Sequence, residues 1–371
     1  MRPAARTAGL GPSPIRVLSE GAPPDTLPLG LGEPGWPLPE VARRALAGEA
    51  GPCPYGPNGG LPDLREAVAA FLGTTTERIF VSSGSQGALF ALFHAWLEPG
   101  AAVLVPDPGF VAYPMLTRLA GAEAVPYGLG PGFGLDLEAF LRALNATPHA
   151  RLAVVNHPAN PTGAGASAEA LAAVASACEA RGVLLIADEV YRELHLGPRP
   201  PGLRDVTSSG VVLGSLSKAW GAPGLRIGWA EGDPALLEPA RRLHAAMVTA
   251  PARPSQQAAL ALLQASDTVL RSARAALAQG FRALSESLQD HFGHAPAPPS
   301  GGFYHWMPLP PWAEGDPLAF ALRLRDEARV VTVPGLAFGP GGRRHLRLSY
   351  GGDPETIRTA LCRLAPFWRT P

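Results

Sequence analysis

What most restricts the fold is a series of short apolar segments, each closed by small or polar residues and separated by stretches of helical character. Residues 79–82 enter Ser83-Gly84-Ser85-Gln86-Gly87, and 88–96 then read as a helix. Residues 102–106 end at Asp107-Pro108, and 152–156 end in His157-Pro158-Ala159-Asn160-Pro161-Thr162-Gly163. An alanine-rich helix over 167–181 leads into 183–187, which stops at Asp188-Glu189; 211–214 end just before Ser215, and 226–230 follow. Such alternation indicates a mostly parallel sheet flanked by helices. Ligands of these sheets sit outside the carboxyl ends of the strands. Gly84, Ser85, Asn160, Asp188, Ser215 and Lys218 all fall at those ends, which makes that edge the candidate site.

Beyond Pro254 the pattern changes to long helices over 255–264 and 268–292, a proline-rich break at 294–302, and short strands at 303–307, 330–333 and 345–349. A chain of 371 residues is long enough for two domains. The expected division is a large α/β domain over 41–279 and a smaller α+β domain built from 1–40 and 280–371.

Balanced charge, 31 basic against 31 acidic residues, argues against a nucleic-acid partner. No apolar run is long enough to span a membrane, and the first residues lack the apolar core of a secretory signal, so a cytoplasmic protein is expected. Cys53, Cys178 and Cys362 are far apart and form neither a disulfide framework nor a zinc motif; no metal site is expected.

Lys218 is the only lysine in the chain; all other basic residues are arginine. Arginine serves solubility equally well but stays protonated, so a site that needs a neutral amine cannot use it. Several readings of this lysine fail. Ser215-Leu216-Ser217-Lys218 fits the S-x-x-K of penicillin-recognising hydrolases, but the K-T-G element those enzymes need requires a second lysine. Gly30-Leu31-Gly32-Glu33-Pro34-Gly35 fits G-x-G-x-x-G, yet Pro34, Pro37 and Pro39 spoil the entry into a helix that a dinucleotide site requires. A cofactor-free Schiff-base aldolase has no use for a phosphate cup and a carboxylate at separate strand ends. Pyridoxal phosphate (PLP) uses both, because its phosphate needs anchoring and its ring nitrogen an acidic partner.

The stretch from Ser215-Leu216-Ser217-Lys218 through Arg226-Ile227-Gly228 resembles the cofactor-lysine signature of class I/II PLP-dependent aminotransferases. Tyr55-Gly56 with Gly60, Leu64 and Arg65, Gly84-Ser85-Gln86, Asn160-Pro161-Thr162-Gly163, Asp188-Glu189-Val190-Tyr191 and Arg347-Leu348-Ser349 resemble further elements of that family, in family order. The chain departs from the pattern at Gly35-Trp36, after Gly32-Glu33-Pro34, and at Phe110, where tyrosine or tryptophan is common. Both departures touch the substrate pocket.

The resemblance implies a fold-type-I enzyme moving an amino group from an L-amino acid to a 2-oxo acid, with PLP held as a Schiff base on Lys218. It implies that Asp188 pairs with the ring nitrogen and that Asn160 and Tyr191 bond the phenolic oxygen. Phe110 would stack on the ring. Gly84, Ser85, Gln86, Ser215 and Arg226 would hold the phosphate side, with Tyr55 contributed by the partner subunit of a homodimer. Gly32, Asn160 and Arg347 would bind substrate. Alternatives stay open: Asp188 also suits a helix N-cap, and Arg347, near Arg343 and Arg344, suits a solvated charge cluster. A carbon–sulfur β-lyase on the same scaffold is the alternative reaction, followed by other fold-type-I PLP enzymes such as decarboxylases and synthases.

Overall fold

The computed structural model describes residues 4–7, 10–11, 14–48 and 51–369. The N-terminal arm contributes a two-residue strand, β1 (Leu27–Pro28). Seven strands then build the main sheet: β2 (Ile79–Ser83), β3 (Ala102–Asp107), β4 (Glu123–Gly128), β5 (Ala150–Asn156), β6 (Leu184–Asp188), β7 (Val211–Ser215) and β8 (Ile227–Gly232). Their spatial order is β2-β8-β7-β6-β5-β3-β4. Only β8 runs antiparallel to its neighbours. The central strands are almost wholly buried, because helices cover both faces and leave no side for polar residues.

The helices start where their capping chemistry dictates. Ser167 accepts from the Ala170 amide ahead of Ala168–Ala180, and Asp136, Asp233, Asp316 and Asp353 cap four more helices through their carboxylates.

The structure differs from the sequence reading in four places. The helix expected from residue 88 begins at Gly84, so the glycine-rich turn is its first turn. Strand β4 was not expected: its exposed and half-buried residues and its Pro126 mask it, and proline is tolerated there because β4 is an edge strand. Arg226 precedes β8 in a left-handed conformation (φ 56°) instead of opening the strand. The segment 330–333 splits at Thr332 into β10 (Val330–Val331) and β11 (Val333–Pro334), because the two halves pair with different partners.

A second sheet, ordered β11-β12-β9, is antiparallel and uses β9 (Tyr304–Pro308) and β12 (His345–Ser349). Strand β1 pairs in parallel with β10, and the Ser349 amide donates to the Leu29 carbonyl at 2.7 Å. The N-terminal arm is thereby stitched to the C-terminal segment. One continuous helix, Ser266–Phe292, connects the two regions.

Candidate active site

The carboxyl ends of β2, β5, β6 and β7 meet on one edge of the main sheet. Strand β8 begins there because it runs the other way, with Ser83 opposite Ile227 and Ser215 opposite Gly228. Asn156 lies in register with Asp188. The sheet therefore gathers residues that are far apart in the chain.

Lys218 sits in the turn after β7, half-buried, and its Nζ donates to the Gly32 carbonyl at 2.5 Å. It lies 5.7 Å from the centre of the Tyr191 ring. Asp188 is 4% exposed. Its Oδ2 accepts from the Tyr113 hydroxyl at 2.7 Å and its Oδ1 from the Val190 amide at 3.4 Å. Burial raises its pKa, while the Tyr113 hydrogen bond, the Val190 amide and the nearby Lys218 charge pull it down. No helix follows directly, so Asp188 is not a helix cap. Its neighbour Glu189 accepts from the Leu203 amide at 2.6 Å and faces Arg192; burial pushes its carboxyl up to about 7.

Arg347 comes from β12 and is 2% exposed, whereas Arg343 and Arg344 are exposed; it belongs to no solvated cluster. Its Nη1 donates to Asn160 Oδ1 and its Nη2 to the Gly30 carbonyl, each at 2.8 Å. Its Nε is buried without a partner. Asn160 is fixed through its amide by Asn156 Oδ1 at 2.7 Å. The Tyr191 hydroxyl lies 2.8 Å from that of Tyr304.

A second group gathers at the start of the helix Gly84–Trp96. Its N-cap Ser83 makes no side-chain capping bond, leaving first-turn amides for an anion. Gly84 has φ 72°, and a Cβ there would lie 2.5 Å from Arg226 Nη2. Ser215 Oγ accepts from the Ser217 amide at 3.0 Å and meets the Ser217 hydroxyl at 2.9 Å. Ser85 and Gln86 are half-buried in the first turn. Phe110, half-buried, packs edge-on to Tyr113 at 5.6 Å. Trp36, at one departure from the family pattern, packs edge-on to Phe303 at 6.4 Å. Tyr55 stands apart, 87% exposed.

Sequence reasoning missed four residues. Tyr113, Ser217 and Tyr304 are described above. The fourth is His244, fully buried, whose Nε2 accepts from the Ser83 amide at 3.0 Å; burial lowers its pKa to about 4 and keeps it a neutral acceptor.

A buried carboxylate at a strand end, an anion cradle at a helix start and an arginine with a spare buried donor fit the three charged parts of a PLP–amino acid pair: ring nitrogen, phosphate and α-carboxylate. The fold and site thus define a PLP-dependent enzyme of fold type I. The sequence profile of "Aminotransferase class I and II" matches residues 24–364. The aspartate/prephenate aminotransferase of Thermus thermophilus is 35% identical, over 98% of this chain and 96% of its own. The arginine–pyruvate transaminase of Pseudomonas aeruginosa is 32% identical, over 92% and 89%. The solved aspartate aminotransferase of Thermus thermophilus with maleate superposes with a TM-score of 0.87 at 33% identity, covering 99% of this chain and all of that one. The chain belongs to the class I and II aminotransferase family. It is a PLP-dependent amino-acid aminotransferase, and the lyase alternative is not favoured.

Proposed function

We propose that the residues gathered at this edge carry out the two halves of amino transfer, from an L-amino acid to a 2-oxo acid, in a homodimer that works in the cytoplasm. Bound PLP supplies an aldehyde for the amine and a ring that withdraws electrons from the substrate Cα. Lys218 holds the aldehyde carbon between turnovers. With the substrate amine in its place, the Lys218 amine would carry the proton from the substrate Cα to the former aldehyde carbon of the cofactor. Asp188 would pair with the ring nitrogen, whose positive charge would favour the ionised carboxylate and which it would keep protonated. Asn160 and Tyr191 would bond the phenolic oxygen, and Phe110 would cover one ring face.

Gly84, Ser85, Gln86, Ser215 and Arg226 bind the phosphate, with Tyr55 reaching the site of the partner subunit. Arg347 clamps the α-carboxylate, aided by Asn160 and the backbone at Gly32. The observation that carries this reading is the unpartnered Nε of Arg347, buried beside two satisfied Nη groups. A buried donor of a charged group is costly unless a ligand completes it. The high exposure of Tyr55 supports a role outside its own subunit. The separation of the seven-stranded sheet from the two small sheets supports a large domain over 41–279 and a small one over 1–40 and 280–371. Among the described residues no helix is long and apolar enough to cross a membrane; cell fractionation checks the cytoplasmic assignment.

The test is a half-reaction. Holoenzyme mixed with one L-amino acid and no oxo acid should release one equivalent of 2-oxo acid per site and stop until an oxo acid is added. Continuous release of pyruvate and ammonia from a cysteine-like donor would overturn amino transfer. A panel of amino donors identifies the side chain accepted.

A further inference from the structure

Tyr304 occupies a junction that none of the motifs includes. It opens β9 and is buried, and its hydroxyl is 2.8 Å from that of Tyr191. The Arg347 guanidinium lies over its ring, 4.4 Å from the centre. The geometry follows from the second sheet: Tyr304 pairs with Ser349 and Trp306 with Arg347, so Tyr304 and Arg347 are diagonal neighbours on one face. A Cβ at Gly32 would lie 2.7 Å from the Tyr304 hydroxyl, so the same phenol abuts the backbone that receives Lys218.

Two hydroxyls that share one hydrogen bond use one proton between them. The other proton stays free for a third group. The cation over the Tyr304 ring draws electrons from that phenol and makes it the better donor. Burial above all, then Tyr304 and the negative charge of Asp188, opposes ionisation of Tyr191; only Arg347 acts the other way. Lys218, from the turn after β7, is the remaining charge facing the pair. With Tyr304 donating and Tyr191 accepting, the Tyr191 proton is left for the site.

We propose that Tyr304 is a positioning residue that donates to the Tyr191 hydroxyl and thereby aims the Tyr191 proton at the phenolic oxygen of the cofactor. This rests on the role given to Tyr191 above. Donation to that oxygen withdraws electrons and lowers the proton affinity of the nitrogen joining Lys218 to the cofactor. Tyr304 strengthens the donation by polarising Tyr191.

The experiment is a pH titration of the visible absorbance of holoenzyme, which reads that nitrogen directly and does not depend on turnover. Tyr304→Phe keeps the ring under Arg347 and removes one oxygen; the midpoint should rise by about half a pH unit. Tyr191→Phe should raise it further, and the double variant should match Tyr191→Phe alone. Replacing Tyr304 by 3-fluorotyrosine, a more acidic phenol that preserves the fold, should lower the midpoint. An unchanged midpoint in Tyr304→Phe beside a raised one in Tyr191→Phe overturns the relay and leaves the Tyr191 assignment standing. A further rise in the double variant overturns it as well, since Tyr304 would then act by another route. An unchanged midpoint in Tyr191→Phe overturns both.

Discussion

Lys218 and Arg347 reach the site from distant parts of the chain, yet each cation is met by a backbone carbonyl of one short stretch, Gly32 and Gly30 respectively. The lysine was legible because the chain has no other and arginine cannot supply a neutral amine. For the same reason Lys218→Arg should yield no borohydride-stable link to the cofactor, whereas the parent should yield one per chain, in a single lysine-containing peptide recovered by mass spectrometry. Tyr113 was not legible. It lies 75 residues from Asp188 and reads locally as a core aromatic of the helix Ala112–Leu119. Tyr304 is 113 residues from Tyr191 and is hidden in the same way. Removing the Tyr113 hydroxyl takes away a bond that lowers the pKa of Asp188, so burial raises that pKa further. Tyr113→Phe should therefore hold cofactor roughly ten- to a hundredfold more weakly, about the worth of one hydrogen bond to a charged group. The loss should deepen as pH falls, in dissociation constants measured between pH 8 and 6.

At the scale of elements, the reversal of β8 has the largest effect on the site. It carries Arg226 to the same edge as Gly84 and Ser85, where a wholly parallel strand would deliver its far end. Period and apolarity predicted most of the strands of the main sheet, because buried strands and covered faces leave a strong local signal. They could not give strand order, the direction of β8 or the edge strand β4, which are settled by pairing with distant segments. The first turn of the helix Gly84–Trp96 leaves no room for a side chain at Gly84. Gly84→Ala would meet both a left-handed backbone, worth about 1–2 kcal/mol, and the Arg226 guanidinium. Calorimetry should show a lower Tm, and cofactor titration a weaker Kd. His244 buttresses the preceding strand end only while neutral. Its folded pKa of about 4 lies below the ordinary 6.5, so the unfolded chain binds the extra proton first. Its contribution is complete above pH 6.5 and lost as pH falls toward 4. His244→Gln, which can still accept the Ser83 amide, should flatten the stability–pH curve across that window in urea titrations.

For the whole molecule, the separate sheet β11-β12-β9 was foreshadowed by the change of pattern after Pro254, but the pairing of β1 with β10 was not: two-residue strands have no period to read. Assembly is testable by complementation. If Tyr55 serves the partner's site, Lys218→Ala and Tyr55→Ala subunits refolded together should produce hybrid dimers with one intact site each, or about a quarter of all sites at random pairing. Activity well above the sum of the separate variants is the expected outcome, and mere addition would place Tyr55 in its own subunit. The clamp of Gly30 on Arg347 also has a consequence for biosynthesis. The two residues are 317 positions apart. At ribosomal speeds of about 5–20 residues per second, the carbonyl emerges roughly 15–60 s before its guanidinium. During that interval Leu29, buried in the finished enzyme, has no β12 to lie against. A nascent chain stalled anywhere before Arg347 should therefore be inactive and present this arm to chaperones, however completely the main sheet has formed.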